Sequence, residues 1–481
     1  MDLSSMEPAI PLSPLDGRYR RQAAPLVDSL SEAALNRERI RVEVEWMILL
    51  TNGHEGNGHR PVLEGLANLD QRSTTYLRSI AEDFDARGIH ELASIEAKTH
   101  HDVKAVEYYI DRRLDAAAEH LGKDAGLARL KPLVHFGCTS EDINNIAYAR
   151  SIKAAVTQVW TPAFEALTKQ LTTMAERHRD LPLLAMTHGQ PATPTTLGKE
   201  LAVYAHRLNR QLRHLETQEY LGKWNGATGT FGASQVSVPQ VDWIGMSRVF
   251  VTRRMGLDWN PLTTQIESHD WQAELYSTIA HVNRILHNLA VDMWMYISRG
   301  VFAQVPVRGA TGSSTMPHKV NPIRFENAEA NLEVSCALLS NLAGTLTESR
   351  WQRDLTDSST QRTIGTALGH SLLALDNLAT GLQEVHPNTA AIAAELEENW
   401  EVLGEPIQTA MRAASLAGRS GMDHPYERVK ELMRGKSIGE REVEGFIREL
   451  DLKPEDRDRL AALTPAAYTG LASDLVDFGR R

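Results

Sequence analysis

The run TSEDINNIAYARSIKAAVTQVWTPAFEALTKQLTTMAERH, residues 139–178, opens with two hydroxyl residues, Thr139 and Ser140, followed by two acids, Glu141 and Asp142. That order suits a helix start, where a side-chain oxygen satisfies an open N–H and negative charge meets the positive end of the dipole. Apolar residues then recur at helical spacing through Ile143, Ile146, Ile152, Val156, Val159, Phe164, Leu167, Leu171 and Met174. Pro162 is the one residue in the run able to kink it. Roughly 38 residues at 1.5 Å each make a rod of about 57 Å, far beyond the usual length of about three turns. The same periodicity predicts helices over about 196–220 and 268–299, a fourth starting at Pro322 and a fifth at Ser358. Strand-like alternation is scarce. Five long helices with short connections define an all-α bundle.

Around this centre the chain changes character. Residues 1–30 carry Pro8, Pro11, Pro14 and Pro25, so the entry is extended or looped, and Asp16–Gly17 marks a turn before Arg18 and Tyr19. A helical pattern runs from Ser31 past Trp46 to Leu50, then meets the glycine- and asparagine-rich loop 52–59, expected to be flexible. Thr99, His100, His101 and Asp102 precede Val103, Val106 and Ile110 and read as the cap of another helix. A break falls near 122–132 and another at Pro387–Asn388, beyond which shorter, more charged helices follow. Three helical domains are expected, at 1–128, 129–385 and 386–481, the length suiting two or three.

Composition excludes several classes. The chain has 481 residues, 42% apolar and 23% charged, with a net charge of −11. An acidic balance argues against general nucleic-acid binding, so any phosphate site must be a local cluster of Arg and Lys. Two cysteines, Cys138 and Cys336, need no disulfide framework and suit a reducing cytoplasm. Asp2 and Glu7 stand where a signal peptide would be basic, and the apolar run 334–347 is too short to span a bilayer. The expectation is a soluble cytoplasmic protein.

Chemistry concentrates in a few strings. The run Thr311, Gly312, Ser313, Ser314, Thr315, Met316, Pro317, His318, Lys319, Val320, Asn321, Pro322 is a pliant loop feeding a helix start. A mobile hydroxyl beside a cation and open N–H groups suits chemistry on a carboxylate. His188 lies in a Pro-bounded turn between two long helices, within Thr187–Pro194. Gln265 sits in Thr263–Glu267, and Arg353, Ser358 and Arg362 in a polar stretch before the fifth helix. The glycines at 222, 226, 229 and 232 have the wrong spacing for a phosphate-binding loop and read as tight turns.

The Ser313 run resembles the Gly-Ser-Ser-x-Met-Pro-x-Lys-x-Asn-Pro motif of the fumarase/aspartase superfamily. His318, the His-Gly-Gln-Pro-Ala string at 188–192, the block from His101 to Tyr109 and the Arg353–Arg362 block narrow the resemblance to its adenylosuccinate lyase family, longer bacterial type. The resemblance implies elimination of fumarate from adenylosuccinate and from the succinylated carboxamide ribotide of purine synthesis. Ser313 would be the base, His188 the acid, and Glu326 the residue orienting His188. Lys319, Asn321, Gln265, Thr139 and Ser140 would hold the succinyl carboxylates. Arg18, Tyr19, Arg353, Ser358 and Arg362 would take the nucleotide; His100, His101, Asp102, Ser314, Val320 and Asn327 complete the implied substrate contacts. His100 departs from the Asn or Arg expected there. No metal or cofactor is implied. The family further implies a homotetramer on a shared helical core, with sites drawn from several chains and neither nucleic acid nor membrane as partner. Two alternatives are a scaffold protein with a decayed site and a carboxymuconate cycloisomerase of the same superfamily. Intact Ser313, His188, Lys319 and Glu326 speak against the first, and phosphate-binding Arg18, Ser358 and Arg362 against the second.

Overall fold

The computed structural model describes residues 11–122, 126–305, 315–316, 318–433 and 438–480. The chain is all-α: among the described residues its strands are pieces of two or three residues, such as Pro182–Leu183 against Thr195–Thr196. The helix read from Thr139 runs through Ser140–Ala155, a π-helical turn Val156–Trp160, and Thr161–Arg177. The irregularity falls just before Pro162, whose missing N–H and bulky ring disturb the turn preceding it. The other long helices are Leu197–Glu216, Asp270–Ser298, Ile323–Leu346 and Ile364–Gln383. The expected fifth helix is split: Thr356–Gln361 forms a short helix of its own before the long one begins. Two N-terminal helices are comparably long, Glu32–Asn52 and Asp102–Leu121.

Contacts divide the chain into two compact units, and every passage between them falls inside one of the five long helices. The first unit comprises Met1–Ala163, His214–Asn283 and Asn331–Leu373; the second comprises Phe164–Arg213, Arg284–Ala330 and Ala374–Arg481.

In the first unit, Ser31 Oγ accepts the Ala34 N–H at 3.1 Å and starts the helix Glu32–Asn52. This helix is buried from Ile40 to Thr51 apart from Arg41, so its periodicity is blurred by apolar residues on every face. Trp46 packs on Trp224 and Phe250 at ring separations of 4.7 and 5.1 Å, and its indole N–H donates to the Phe136 carbonyl. Four long helices are also joined by a buried polar relay. The Trp160 indole donates to Ser371 Oγ at 2.8 Å, Ser371 to Asn283 Oδ1 at 2.7 Å, Asn283 Nδ2 to Ser335 Oγ at 3.0 Å, and Ser335 to the Ala367 carbonyl at 2.7 Å. Each group is satisfied away from water, which fixes the rotation of each helix about its axis.

In the second unit, the Tyr204 hydroxyl donates to Asp292 across the Leu197 and Asp270 helices. Burial, reinforced by that carboxylate, raises the phenol far above its usual range. The C-terminal helices close on a cluster including Trp400, Leu403, Ile407, Met411, Val443 and Ile447.

Asn283→Ala removes the centre of the relay and orphans the Ser371 hydroxyl hydrogen, a loss of about 1–3 kcal/mol before any cavity cost. Equilibrium urea unfolding should show the midpoint falling accordingly. An unchanged midpoint would show that the relay contributes nothing.

Candidate active site

In the first unit a cleft of about 420 Å³ is lined by His100, His101, Asp102, Thr139, Ser140, Arg353, Ser358 and Arg362, eight residues singled out from sequence. Three helix ends build it. His100 closes the helix Ala86–Thr99 in a left-handed conformation, φ 51°, and His101 caps the next helix through Nδ1, which accepts the Lys104 N–H at 3.2 Å. Thr139 and Ser140 begin the long helix, and Ser358 lies in the short helix Thr356–Gln361.

The floor of this cleft is ionic. Arg39 is buried and reaches Asp102 at 2.7 Å and Asn144 at 2.9 Å, while Arg362 reaches Asp102 at 3.5 Å and also pairs with Glu32. Burial pushes the Asp102 carboxyl up, but Arg39, the Val103 N–H, Arg362 and His101 outweigh it and hold it below its ordinary value. Arg353 pairs with buried Glu141 at 3.0 Å and donates to Ser358 Oγ at 3.2 Å and Gln265 Oε1 at 3.4 Å. Burial raises Glu141 despite that partner. Asp357 accepts the Ser358 N–H at 2.7 Å and faces His269 at 3.4 Å; burial raises it, but His269, the Ser358 N–H and Arg353 bring it below its usual value.

Beneath Thr139 stands Asp142, wholly buried. Its carboxylate accepts N–H groups from Thr139 at 2.9 Å, Asn225 at 3.0 Å and Gly226 at 3.1 Å, and pairs with the buried Lys223 ammonium at 2.9 Å. The glycine-rich turn so anchored meets the Gln265 block. Asn225 donates to Thr263 Oγ1, and Gln265 donates to the Ala227 carbonyl. Gly229, at φ +76°, lies so close that a Cβ would sit 2.2 Å from the Thr263 carbonyl oxygen. Gly226 and Gly229, both at positive φ, take turn conformations as read from the sequence, and Gly229 also permits the close approach.

The second unit carries the remaining candidates. His188 is exposed at the tip of a hairpin pairing Met186 with Pro191 and Thr187 with Gln190. His188 and Gly189 both have positive φ, 55° and 72°, as a type I′ turn requires. Among the described residues the His188 ring has no hydrogen-bond partner. Glu326, in the first turn of Ile323–Leu346, accepts the Trp294 indole N–H at 3.2 Å. Lys319 and Val320 lie in the turn before that helix, Val320 accepting from Gln304 at 2.8 Å. Asn321 gives its carbonyl to the Ile323 N–H, so the helix opens one residue later than the Asn-Pro pair suggested, and Asn327 is its fifth residue. Ser313 and Ser314 lie outside the described residues. Arg18 and Tyr19 occupy the turn before Arg20–Ala23 and do not line the cleft; the Arg18 guanidinium lies 5.9 Å from the Tyr19 ring centre.

Sequence reasoning missed Arg39, Glu141, Asp142, Lys223, His269 and Asp357. Glu141 and Asp142 were read only as dipole partners, and the others carry no local signal because their partners are distant in the chain.

The fold and this collection of blocks define a helical lyase of the fumarase/aspartase superfamily. Residues 17–335 match the family described as "Lyase", and residues 349–469 the family described as "Adenylosuccinate lyase C-terminal". The chain is similar to the adenylosuccinate lyase of Escherichia coli, 43% identical over 477 residues with 99% of each chain covered. It is likewise similar to that of Haemophilus influenzae, 41% identical over 97% of this chain and 98% of the relative. Among solved structures, a fumarate lyase from Mesorhizobium superposes with a TM-score of 0.74 at 17% identity, covering 95% of this chain and 98% of the other. The 3-carboxy-cis,cis-muconate lactonizing enzyme of Pseudomonas putida does so at 0.69 and 19%, covering 95% and 96%. The chain belongs to the adenylosuccinate lyase family and is a carbon–nitrogen lyase.

Removing the ammonium in Lys223→Met strands a buried carboxylate, which costs about 3–5 kcal/mol. Urea unfolding should show that loss, and Lys223→Arg should recover part of it; a loss under about 1 kcal/mol would contradict the role assigned to the pair. The acids supply a second expectation. Depressed Asp102 and Asp357 stabilise the fold above the ordinary carboxylate range, and that contribution disappears as pH falls through their lowered values. Raised Glu141 acts oppositely, its protonation favouring the fold. Asp102→Asn should therefore flatten the loss of unfolding free energy as pH falls below about 4, the ordinary aspartate value. A slope equal to the parent's would contradict this.

Proposed function

We propose that this chain eliminates fumarate from adenylosuccinate, giving AMP, and performs the same reaction on the succinylated aminoimidazole carboxamide ribotide. The observation that carries the reading is the Arg353–Ser358–Arg362 cleft beside the Thr139–Ser140 helix start, in a chain about two-fifths identical to adenylosuccinate lyases along its length. The arginines offer forked donors for a phosphate, a group that a carboxymuconate lacks.

The chemistry assigned to the residues is as follows. Ser313 removes the proton next to a succinyl carboxylate, and Lys319 with the N–H groups of the following helix stabilises the serine anion that this requires. The C–N bond then breaks, and His188 protonates the departing nitrogen. Lys319, Asn321, Gln265, Thr139 and Ser140 hold the carboxylates; Arg18, Tyr19, Arg353, Ser358 and Arg362 hold the nucleotide. Glu326 orients His188 in the assembled enzyme, its second carboxylate oxygen serving this while the first accepts the Trp294 indole N–H.

The assembly belonging to this reading is a homotetramer in which the His188, Ser313 and Gln265 blocks of one site come from different copies. Exposed apolar residues on the long helices support it: Trp294 and Met295 on Asp270–Ser298, and Val334 on Ile323–Leu346, are 41–53% exposed. Domains at 1–128, 129–385 and 386–481 and a cytoplasmic location complete it. No helix among the described residues is long and apolar enough to cross a membrane.

Ser313→Ala and His188→Gln should each abolish turnover in an absorbance assay with adenylosuccinate, while urea midpoints stay near the parent's, both lying in polar, Gly- or Pro-bounded stretches of sequence where changes usually cost under about 0.5 kcal/mol. Either variant retaining a tenth of parental activity would overturn its assignment. His188→Gln and Gln265→Ala, unfolded together and refolded, should regain partial activity through mixed tetramers. No recovery in tetramers proven mixed would place each site within one chain.

A further inference from the structure

The loop 52–59, expected to be flexible, is instead built. Gly53 ends the helix Glu32–Asn52 at φ +61°, and a Cβ there would sit 2.2 Å from the Arg60 carbonyl oxygen. The Asn57 side chain clamps both ends, accepting the His54 N–H at 2.8 Å and donating to the Arg60 carbonyl at 3.0 Å. His54 Nδ1 accepts the Gly56 N–H at 3.1 Å, so the neutral ring carries its proton on Nε2 and keeps that atom as a donor.

This loop forms one wall of a cleft of about 830 Å³ that shares no lining residue with the Arg353 cleft. Four arginines line it, Arg60, Arg248, Arg253 and Arg254, with two carboxylates, Glu55 and Asp242. Glu55 is taken by Arg253 at 3.3 Å, and Asp242 caps its own helix by accepting the Gly245 N–H at 2.9 Å. Arg254 leans on the Gly53 carbonyl and on Glu45. Among the described residues the Arg60 and Arg248 side chains have no hydrogen-bond or ion-pair partner. Burial, then His59, Arg253 and Arg254, lowers His54, so the field around it is positive. An uncompensated cationic cleft in a chain of net charge −11 calls for an anion. The volume is that of a small-molecule site, and Val62, Val241, Met246 and Val249 supply an apolar wall.

We propose that this cleft is a second binding site, distinct from the Arg353 cleft, for a small molecule carrying a chain of phosphates, a nucleoside triphosphate. Arg60 and Arg248 grip the phosphates, and the apolar wall takes the base.

Calorimetric titration of the full chain with ATP, and separately with sodium tripolyphosphate, tests this at about 0.1 M salt, where such contacts are not yet fully screened. Arg353→Ala, which disables the phosphate position of the other cleft, should bind ATP as the parent does. Arg60→Glu/Arg248→Glu should bind it at least about tenfold more weakly, a difference of about 1.4 kcal/mol, with turnover of adenylosuccinate unchanged. Should charge reversal prevent folding, Arg60→Ala/Arg248→Ala replaces it with the same expectation. Three results would overturn the proposal: no heat with ATP at millimolar concentration, equal affinity in the double variant, or loss of binding in Arg353→Ala alone. ATP binding more tightly than tripolyphosphate supports the base contact, and equal affinities would overturn the nucleoside part.

Discussion

The Asp142 carboxylate is the point on which the first unit turns. It takes three backbone N–H groups from two segments far apart in sequence and balances its charge on Lys223, with neither side chain reaching water. A buried carboxylate is tolerated only when its lone pairs are filled and its charge is met. Positions 139, 223, 225 and 226 must therefore arrive together or not at all. Through Asn225 and the Ala227 carbonyl the same anchor extends to Thr263 and Gln265, and through Arg353 to Ser358. Thr139, Gln265, Arg353 and Ser358 are thereby tied into one hydrogen-bonded body.

That body needs a rigid frame. Long helices packed through apolar stripes alone can rotate and slip by small amounts, because Leu and Ile contacts are forgiving. The relay through Trp160, Ser371, Asn283 and Ser335 removes this freedom, since a slip of one residue would orphan several buried groups. Trp160 sits in the π turn ahead of Pro162, so the irregularity in the longest helix is also where it locks to its neighbours.

The arginines of the cleft are held before substrate arrives. Arg353 and Arg362 are aimed by Glu141, Glu32 and Asp102, so under the proposed function a phosphate would meet donors already fixed in direction. The carboxylates that aim them also temper the positive field, leaving a site that is selective for geometry as much as for charge. The cleft beside the 52–59 loop lacks that tempering at Arg60 and Arg248.

Local order was legible in the sequence. Helix periods, the caps at His101 and Thr139, and the turn at 188–189 depend on neighbours within a few residues, and those neighbours are written consecutively. The blocks bearing Gln265, Arg353 and Ser358 could be named for the same reason. Only the tertiary structure decided what joins them. Lys223 and His269 read as ordinary polar residues until Asp142 and Asp357 are brought against them. The left-handed backbone of His269, φ 62°, had no glycine to announce it, and its buried ring is set against Asp357, 88 residues on. A residue without glycine's freedom holds such a conformation when its surroundings compel it, and those surroundings come from distant parts of the chain.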